Sequence, residues 1–205
     1  MDSTAPHVKP PSSDRFDILA VGASAGGVGA LAQLFGELSA DFPVPIVVVQ
    51  HLDPRHNTVL AEILERRSRL KVTLASADDR IRPGAVYVAP PNRHLLVSPG
   101  GLLALTSTEL VHFVRPSVDL LFESVAGAYG PAAIGCVLTG TGTDGAMGVS
   151  AIKSRGGTVI VEDPETADFS GMPRAALDTG TADFVLPLAE IAPVVSRLVE
   201  AGRTR

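Results

Sequence analysis

Residues Phe16 to Leu38 read FDILAVGASAGGVGALAQLFGEL, which is an apolar run, a glycine-rich turn and an amphipathic stretch in succession. Phe16 to Val21 has the length and apolar character of a buried strand, and Val28 to Leu38 has the apolar spacing of a helix. The same order returns at Val44 to Val49, followed by Thr58 to Arg67. Such alternation of strands and helices predicts a parallel sheet that is covered by helices.

The rest of the chain repeats this order around a different middle section. Further strands are predicted at 132–138, 158–161 and 184–186, and helices at 118–128, 145–154, from Pro173 onward and at 188–200. In the middle, Val72 to Ala75 and Val86 to Ala89 are strand-like, and Leu95 to Thr106 predicts a hairpin turning at Pro99-Gly100-Gly101. We expect an α/β fold with a mostly parallel, doubly wound sheet, helices on both faces, and an antiparallel extension of the sheet built from the middle section.

The length and composition fit a single domain. Of 205 residues, 45% are hydrophobic and 19% are charged, which is ordinary for a globular protein. Residues 1–14 are polar and rich in Pro and Ser, so we expect a disordered N-terminal tail. We expect the folded domain at 15–200 and a short C-terminal tail at 201–205.

Composition also excludes several classes of partner. A net charge of −5 and an aromatic content of 4% without Trp argue against nucleic acid and against an anionic membrane surface. Neither a signal peptide nor an apolar run long enough to cross a bilayer is present. The single cysteine fits a reducing compartment, so a cytoplasmic location is expected.

Three further histidines, the cysteine and two of the methionines are given no catalytic or metal-binding role. His56, His94 and His112 lack the spacing of a metal site, and we expect them on the surface or in loops. Cys136 lies in an apolar strand and is expected to be a buried, inert thiol. Met147 and Met172 are expected to pack in the core near the site.

Three polar residues directly follow predicted parallel strands, where ligands bind in such sheets. Ser24 lies in the turn after the first strand, His51 follows the second strand, and Asp144 lies in the loop after the strand at 132–138. A serine hydroxyl needs a base to become a nucleophile, and histidine serves as that base when a carboxylate holds its other ring nitrogen. The sequence therefore predicts Ser24 as nucleophile, His51 as base and Asp144 as the group that orients His51.

Each of these residues alone also has a structural interpretation. Ser24 is compatible with a turn or N-cap, Asp144 with an N-cap of its own helix, and His51 with a hydrogen-bonded loop residue. Their joint placement favours a triad. The order Ser-His-Asp, with the serine after the first strand, differs from that of α/β-hydrolases.

A dinucleotide-binding domain is the alternative from another functional class. Its G-x-G-x-x-G motif would have glycine at Ser24, and its second strand would end on an acidic residue where this chain has Gln50-His51. Both departures favour hydrolysis. A non-catalytic or nucleotide-binding α/β regulator remains the second hypothesis.

Six short motifs occur in order along the chain: GASAGG at 22–27, VQH at 49–51, GAVYVAPPNRH at 84–94, RPSVD at 115–119, LTGTGTDGAMG at 138–148 and GMPRAA at 171–176. Together they resemble the catalytic domain of the chemotaxis protein-glutamate methylesterase family, CheB, from about Phe16 to Val195. The family triad falls on Ser24, His51 and Asp144.

The resemblance implies a specific reaction. The substrate would be a γ-methyl glutamate ester on the cytoplasmic part of a chemoreceptor, and methanol would be released without a metal or cofactor. Deamidation of receptor glutamines is a further implied activity. Backbone N–H groups of Ala25 and near Thr141 would hold the oxyanion, and Arg115 and Arg174 would lie at the substrate rim. For both arginines a purely structural role is the alternative.

Three features depart from the family pattern. Thr141 stands where methionine is usual, and Leu52-Asp53-Pro54 replaces the commoner Met-Pro-Pro after the histidine. Only about 15 residues precede the first strand, so we expect no N-terminal receiver domain. The chain would then be a free-standing, constitutively open form, an excised domain, or one regulated by a separate regulatory or receiver protein.

Overall fold

The computed structural model describes residues 16–52 and 58–201. The predicted N-terminal tail, residues 202–205 of the predicted C-terminal tail, Asp53-Pro54 and His56 lie outside these ranges.

The chain alternates strands and helices in nearly the predicted order. The strands are β1 (Ile18–Ala23), β2 (Ile46–Gln50), β3 (Lys71–Leu74), β4 (Ala85–Val88), β5 (His94–Ser98), β6 (Leu102–Thr106), β7 (Ala133–Val137), β8 (Thr158–Glu162) and β9 (Phe184–Leu186). The helices are α1 (Gly27–Glu37), α2 (Leu60–Arg67), α3 (Val118–Tyr129), α4 (Ala146–Ser154), α5 (Gly171–Asp178) and α6 (Leu188–Ala201), with a 3-10 turn at Gly130–Ala132.

Seven strands form one parallel sheet in the order β3-β4-β2-β1-β7-β8-β9. Helices α1, α2 and α6 pack on one face, and α3, α4 and α5 pack on the other. β1, β2, β7 and β8 are buried along their whole length, which explains their continuous apolar sequences. The doubly wound parallel fold is therefore confirmed. None of the helices in the described residues is long and apolar enough to span a bilayer.

The middle section differs in part from the prediction. β3 and β4 join the main sheet as parallel strands rather than as part of an antiparallel extension. The predicted hairpin exists as β5 and β6, which pair antiparallel with each other in a separate two-stranded sheet. The hairpin packs on α3, where the Val97 N–H donates to Ser124 Oγ at 3.0 Å, because α3 offers the apolar surface that covers it.

The register of the three central strands brings their carboxyl ends to one place. Ala23 at the end of β1 pairs with Gln50 of β2, and Gly22 pairs with Val137 of β7. Backbone hydrogen bonds continue past the strands, from the Ser24 N–H to the Thr139 carbonyl and from the His51 N–H to the Ala23 carbonyl, both at 3.0 Å. The residues that follow β1, β2 and β7 therefore share one edge.

Candidate active site

Ser24 lies in the turn between β1 and α1. The turn is held by the Gly27 N–H, which donates to the Ser24 carbonyl at 2.9 Å, and Gly26 has φ 75°. A left-handed φ of this kind favours glycine, since other residues pay a steric cost there. The half-buried serine thus stands at the amino end of α1, where the helix dipole favours negative charge.

His51 and Asp144 form a hydrogen-bonded pair at the same edge. Nε2 of His51 lies 2.8 Å from Oδ2 of Asp144, and the two side chains are only 12% and 3% exposed. When Nε2 donates to the carboxylate, Nδ1 is left as the acceptor that a serine base requires. Ser24 and His51 each come one residue after the paired positions Ala23 and Gln50, so adjacent strands carry them side by side.

The remaining contact that a triad requires would join the Ser24 hydroxyl to the His51 ring. Among the described residues, no hydrogen bond joins the Ser24 hydroxyl to the His51 ring. Catalytic hydrogen bonds are often long without substrate and shorten when substrate binds.

Asp144 is held by four donors. Its Oδ2 accepts from His51 and from the Val118 N–H at 2.7 Å, and its Oδ1 accepts from the Ser117 hydroxyl at 2.9 Å and the Asp119 N–H at 3.0 Å. Burial alone would raise the pKa of Asp144, but the hydrogen bonds from His51, Val118 and Asp119 outweigh it and leave the pKa below its ordinary value. The carboxylate is therefore charged and fixed in orientation.

Asp144 caps a helix, but not the helix that follows it in sequence. Its partners Ser117, Val118 and Asp119 are the N-cap and first residues of α3. Gly145 occupies the N-cap position of α4. The alternative interpretation, an N-cap for its own helix, is therefore wrong, and the carboxylate instead combines contact with His51 and capping of α3.

Asp119 makes the reciprocal contact. Its Oδ1 accepts from the N–H groups of Gly145 at 2.9 Å and Gly148 at 2.7 Å, at the start of α4, and its Oδ2 lies 3.1 Å from Nε2 of His112. Burial raises the pKa of Asp119, although the Gly148 and Gly145 N–H groups act in the opposite direction. The first N–H groups of α3 and of α4 thus each donate to a carboxylate that lies near the start of the other helix. This reciprocal capping holds Asp144 in place.

Gln50 joins the serine and histidine segments. Its buried Nε2 donates to the Ser24 carbonyl at 2.7 Å and to the His51 carbonyl at 2.9 Å. Its Oε1 has no hydrogen-bond partner within the described residues. A Cβ at Gly27 would lie 2.0 Å from this Oε1, so only glycine leaves room for the Gln50 amide.

Thr139 also supports the turn that carries Ser24. Oγ1 of Thr139 donates to the Ala25 carbonyl at 3.1 Å and accepts from the Phe169 N–H at 2.9 Å. The Thr139 N–H donates to Oε2 of Glu162 at 2.7 Å. Burial raises the pKa of Glu162, with the Thr139 N–H acting in the opposite direction.

The predicted oxyanion donors have available N–H groups. In the described parts of the chain, the N–H groups of Ala25 and Thr141 make no hydrogen bond to a protein acceptor. Ala25 directly follows Ser24, and Thr141 lies in the exposed part of the loop that ends at Asp144. Their role in holding an oxyanion stays a prediction.

The two predicted rim arginines make local contacts. Arg115 donates to Asn92 Oδ1 and to the carbonyls of Ser107 and Thr108, which fixes the loop before α3. Arg174, on α5, pairs with the exposed Glu165. These contacts do not test substrate binding, so that role stays a prediction for both arginines.

Other predicted positions have mixed outcomes. Cys136 and Met172 are buried as expected, whereas Met147 is 62% exposed, so its assignment to the core is wrong. His94 is fully buried, contrary to expectation, because its Nδ1 accepts from the Ser117 N–H and its Nε2 lies 3.0 Å from the Glu109 carbonyl.

Sequence reasoning missed the residues that hold Ser24, His51 and Asp144, or the segments next to them, in place. These are Gln50, Ser117, Asp119, Thr139 and Glu162. All of these except Glu162 lie inside quoted motifs, and a polar residue in or next to an apolar strand or in the first helical turn is the available signal. Their partners lie far away in sequence, so the pattern alone does not reveal what they hold.

Comparison with known proteins identifies a family. The family model described as CheB methylesterase matches residues 19–195. A Leptospira interrogans protein, provisionally named protein-glutamate methylesterase/protein-glutamine glutaminase, is 40% identical over 183 residues, covering 89% of this chain and 95% of that protein. A Moorella thermoacetica protein with the same two activities in its name is 42% identical and covers 89% of this chain, which spans 44% of that protein.

A solved structure gives the same result. The crystal structure of the Thermotoga maritima CheB methylesterase catalytic domain superimposes with a TM-score of 0.87 at 38% identity, covering 90% of this chain and 99% of that domain. The chain therefore belongs to the CheB methylesterase family, a family of carboxylic ester hydrolases.

Proposed function

We propose that this protein hydrolyses γ-methyl esters of glutamate residues on methylated chemoreceptors and releases methanol. The observation that carries the proposal is the buried 2.8 Å contact between Nε2 of His51 and Oδ2 of Asp144, beside Ser24 at the end of the neighbouring strand. This contact leaves Nδ1 of His51 to take the serine proton. The same proposal places the protein in the cytoplasm, because the methylated glutamates lie on the cytoplasmic part of a chemoreceptor.

The reaction has two stages. Oγ of Ser24 attacks the ester carbonyl while His51 takes its proton, and the N–H groups of Ala25 and Thr141 stabilise the oxyanion. His51 then gives the proton to the departing methoxy oxygen, which releases methanol and leaves an acyl-serine. In the second stage, His51 deprotonates a water that attacks the acyl carbon, and the glutamate carboxylate and free Ser24 are restored.

The same machinery extends to glutamine side chains. Attack on a γ-amide follows the same path, with ammonia as leaving group in place of methanol. The names of the relatives from Leptospira interrogans and Moorella thermoacetica include this glutaminase activity.

The test is methanol release from a methylated chemoreceptor cytoplasmic fragment, comparing the protein with its Ser24→Ala variant. We expect release by the protein and loss of release in the variant. If neither releases methanol, labelling with a serine-reactive phosphonate decides between a different ester substrate and the non-catalytic alternative. Labelling of Ser24 requires an activated hydroxyl, so absence of labelling contradicts the hydrolase assignment.

A further inference from the structure

Large apolar side chains are exposed on chain segments that adjoin the catalytic residues. Phe113 is 95% exposed and Met147 is 62% exposed, and Leu110 and Phe169 are also exposed. We call these four residues the apolar rim. Single exposed apolar residues are ordinary, but several on the segments that adjoin one site indicate a binding surface.

Phe113 and Leu110 lie on the segment that leads into α3. This segment, residues 107–116, ends directly before Ser117, whose hydroxyl contacts Asp144. Arg115 anchors the segment through the carbonyls of Ser107 and Thr108. Phe113 is thus carried by a fixed loop that is continuous with the support of the triad.

The backbone holds Phe113 in an unusual conformation. His112 has φ 49° and Phe113 has φ 65°, and both are left-handed positions that bulky residues rarely adopt. Nε2 of His112 contacts Asp119, and Val111 and Val114 bridge across the turn. Backbone strain at an exposed phenylalanine is typical of a position kept for a contact with another molecule.

Met147 and Phe169 flank the site from two other segments. Met147 lies in the first turn of α4, three residues after Asp144. The Phe169 carbonyl accepts from the Gly140 N–H at 2.9 Å, and its ring Cδ2 would be 3.2 Å from a Cβ at Gly26. Phe169 therefore lies beside the turn that carries Ser24.

We propose that the apolar rim is the docking surface for the methylated protein substrate, with Phe113 as its anchor. This proposal rests on the proposed function. An ester that reaches Ser24 belongs to a protein surface, and that surface must pass over the residues surrounding the site. Methyl esterification removes the charge of a carboxylate, so an apolar rim favours the methylated surface over the demethylated product.

The test compares Phe113→Asn with Leu74→Asn. Asn tolerates the left-handed backbone at position 113, which keeps the loop conformation while removing the ring. Leu74 is an exposed leucine on edge strand β3, which β4 and β2 separate from β1, the strand that leads to Ser24. Each variant is assayed on a methylated chemoreceptor fragment and on the small ester p-nitrophenyl acetate, which has no protein surface to dock on the rim.

For Phe113→Asn we expect kcat/KM on the receptor fragment to fall roughly ten- to hundredfold, mainly through a higher KM, because one buried aromatic contact is lost. Turnover of p-nitrophenyl acetate should be unchanged, and Leu74→Asn should match the unaltered protein on both substrates. Phe113→Leu should recover most of the loss.

Three results contradict the proposal. If Phe113→Asn acts on the receptor fragment with unchanged kinetics, the rim proposal is wrong and the proposed function is unaffected. An equal loss on both substrates shows that Phe113 supports the site rather than docking. If the unaltered protein releases no methanol from the receptor fragment, the proposed function and the rim proposal fail together.

Discussion

Asp144 performs two tasks with one carboxylate. It accepts a hydrogen bond from His51 through Oδ2, and it satisfies three donors at the start of α3. Because all four partners donate, both oxygens must be acceptors, which only the ionised carboxylate provides. The contact with His51 and the capping of α3 therefore depend on the same atoms.

This requirement makes Asp144→Asn a sharp test at the residue scale. An amide accepts at one atom only, so either His51 or the donors at Oδ1 lose their acceptor. We expect kcat for ester hydrolysis to fall roughly 10³- to 10⁴-fold, measured by methanol release. The control is Asp163→Asn, in a turn after β8; a variant of Asp144 that keeps a tenth of the activity would contradict the assigned role.

Glu162 gives a prediction for pH. Burial raises its pKa, so the folded protein binds this proton more tightly than the unfolded chain. The free energy of unfolding therefore includes a contribution that is lost as pH rises from the unfolded pKa, about 4.3, through the raised folded value. Glu162→Gln cannot ionise and should gain stability relative to the unaltered protein as pH rises from 4 to 8.

The measurement is urea unfolding at several pH values across this range. Glu37→Gln, on the exposed side of α1, serves as the matched control and should follow the unaltered protein. A stability difference for Glu162→Gln that stays constant with pH would show that this carboxyl does not titrate in the folded state as expected.

At the scale of elements, the main feature is that α3 and α4 are each capped by a carboxylate from near the start of the other helix. Asp144, just before α4, caps α3, and Asp119, in the first turn of α3, accepts from the first residues of α4. Each acidic side chain also lies at the positive end of a helix dipole. The relative position of the two helices is therefore coupled to the position of the His51 partner.

Asp119→Ala tests this coupling. It leaves the buried N–H groups of Gly145 and Gly148 without an acceptor, which should lower the free energy of unfolding by roughly 2–5 kcal/mol. We also expect a lower kcat with little change in KM, because Asp144 shifts with α4. Urea unfolding and methanol release measure the two effects.

Asp119→Asn keeps one acceptor oxygen and should recover part of both losses. Glu123→Ala, exposed on the same helix, should change neither quantity by a comparable amount. Normal kcat in a destabilised Asp119→Ala would show that this reciprocal capping supports the fold without positioning Asp144.

Most elements could be predicted from the sequence, because apolar strands and amphipathic helices differ in period and length. The strand at 184–186 was placed to the residue, and the helices at 118–128 and 188–200 within one residue of their ends. The pairing of β3 and β4 was not predicted, since a short strand pattern does not specify whether its partner runs parallel or antiparallel.

At the scale of the whole molecule, Cys136 reports on global unfolding. It lies in β7, inside the seven-stranded sheet, with its thiol fully buried, and burial raises the pKa of that thiol. Exposing it requires the sheet to open, since helices cover both faces. We therefore expect a thiol reagent to label Cys136 only in the globally unfolded state.

The measurement is labelling with an aromatic disulfide reagent in buffer and in urea. Labelling in buffer should be slow and should rise in parallel with the unfolded fraction. Ser107→Cys, at an exposed loop position, provides a rapidly labelled reference. Fast labelling of Cys136 in buffer would indicate local opening around β7.

Chain order alone placed Ser24, His51 and Asp144 at one edge, because residues that follow parallel strands must emerge on the same side of the sheet. Local pattern also separated strands from helices. The pairs that hold the site, however, join residues 25 to 93 positions apart: Asp144 with α3, Asp119 with α4, Gln50 with Ser24, and Asp144 with His51. These contacts, and the exposure of Phe113 and Met147, depend on how the helices pack on the sheet, and hydrogen-bond geometry between distant residues exists only once that packing has formed.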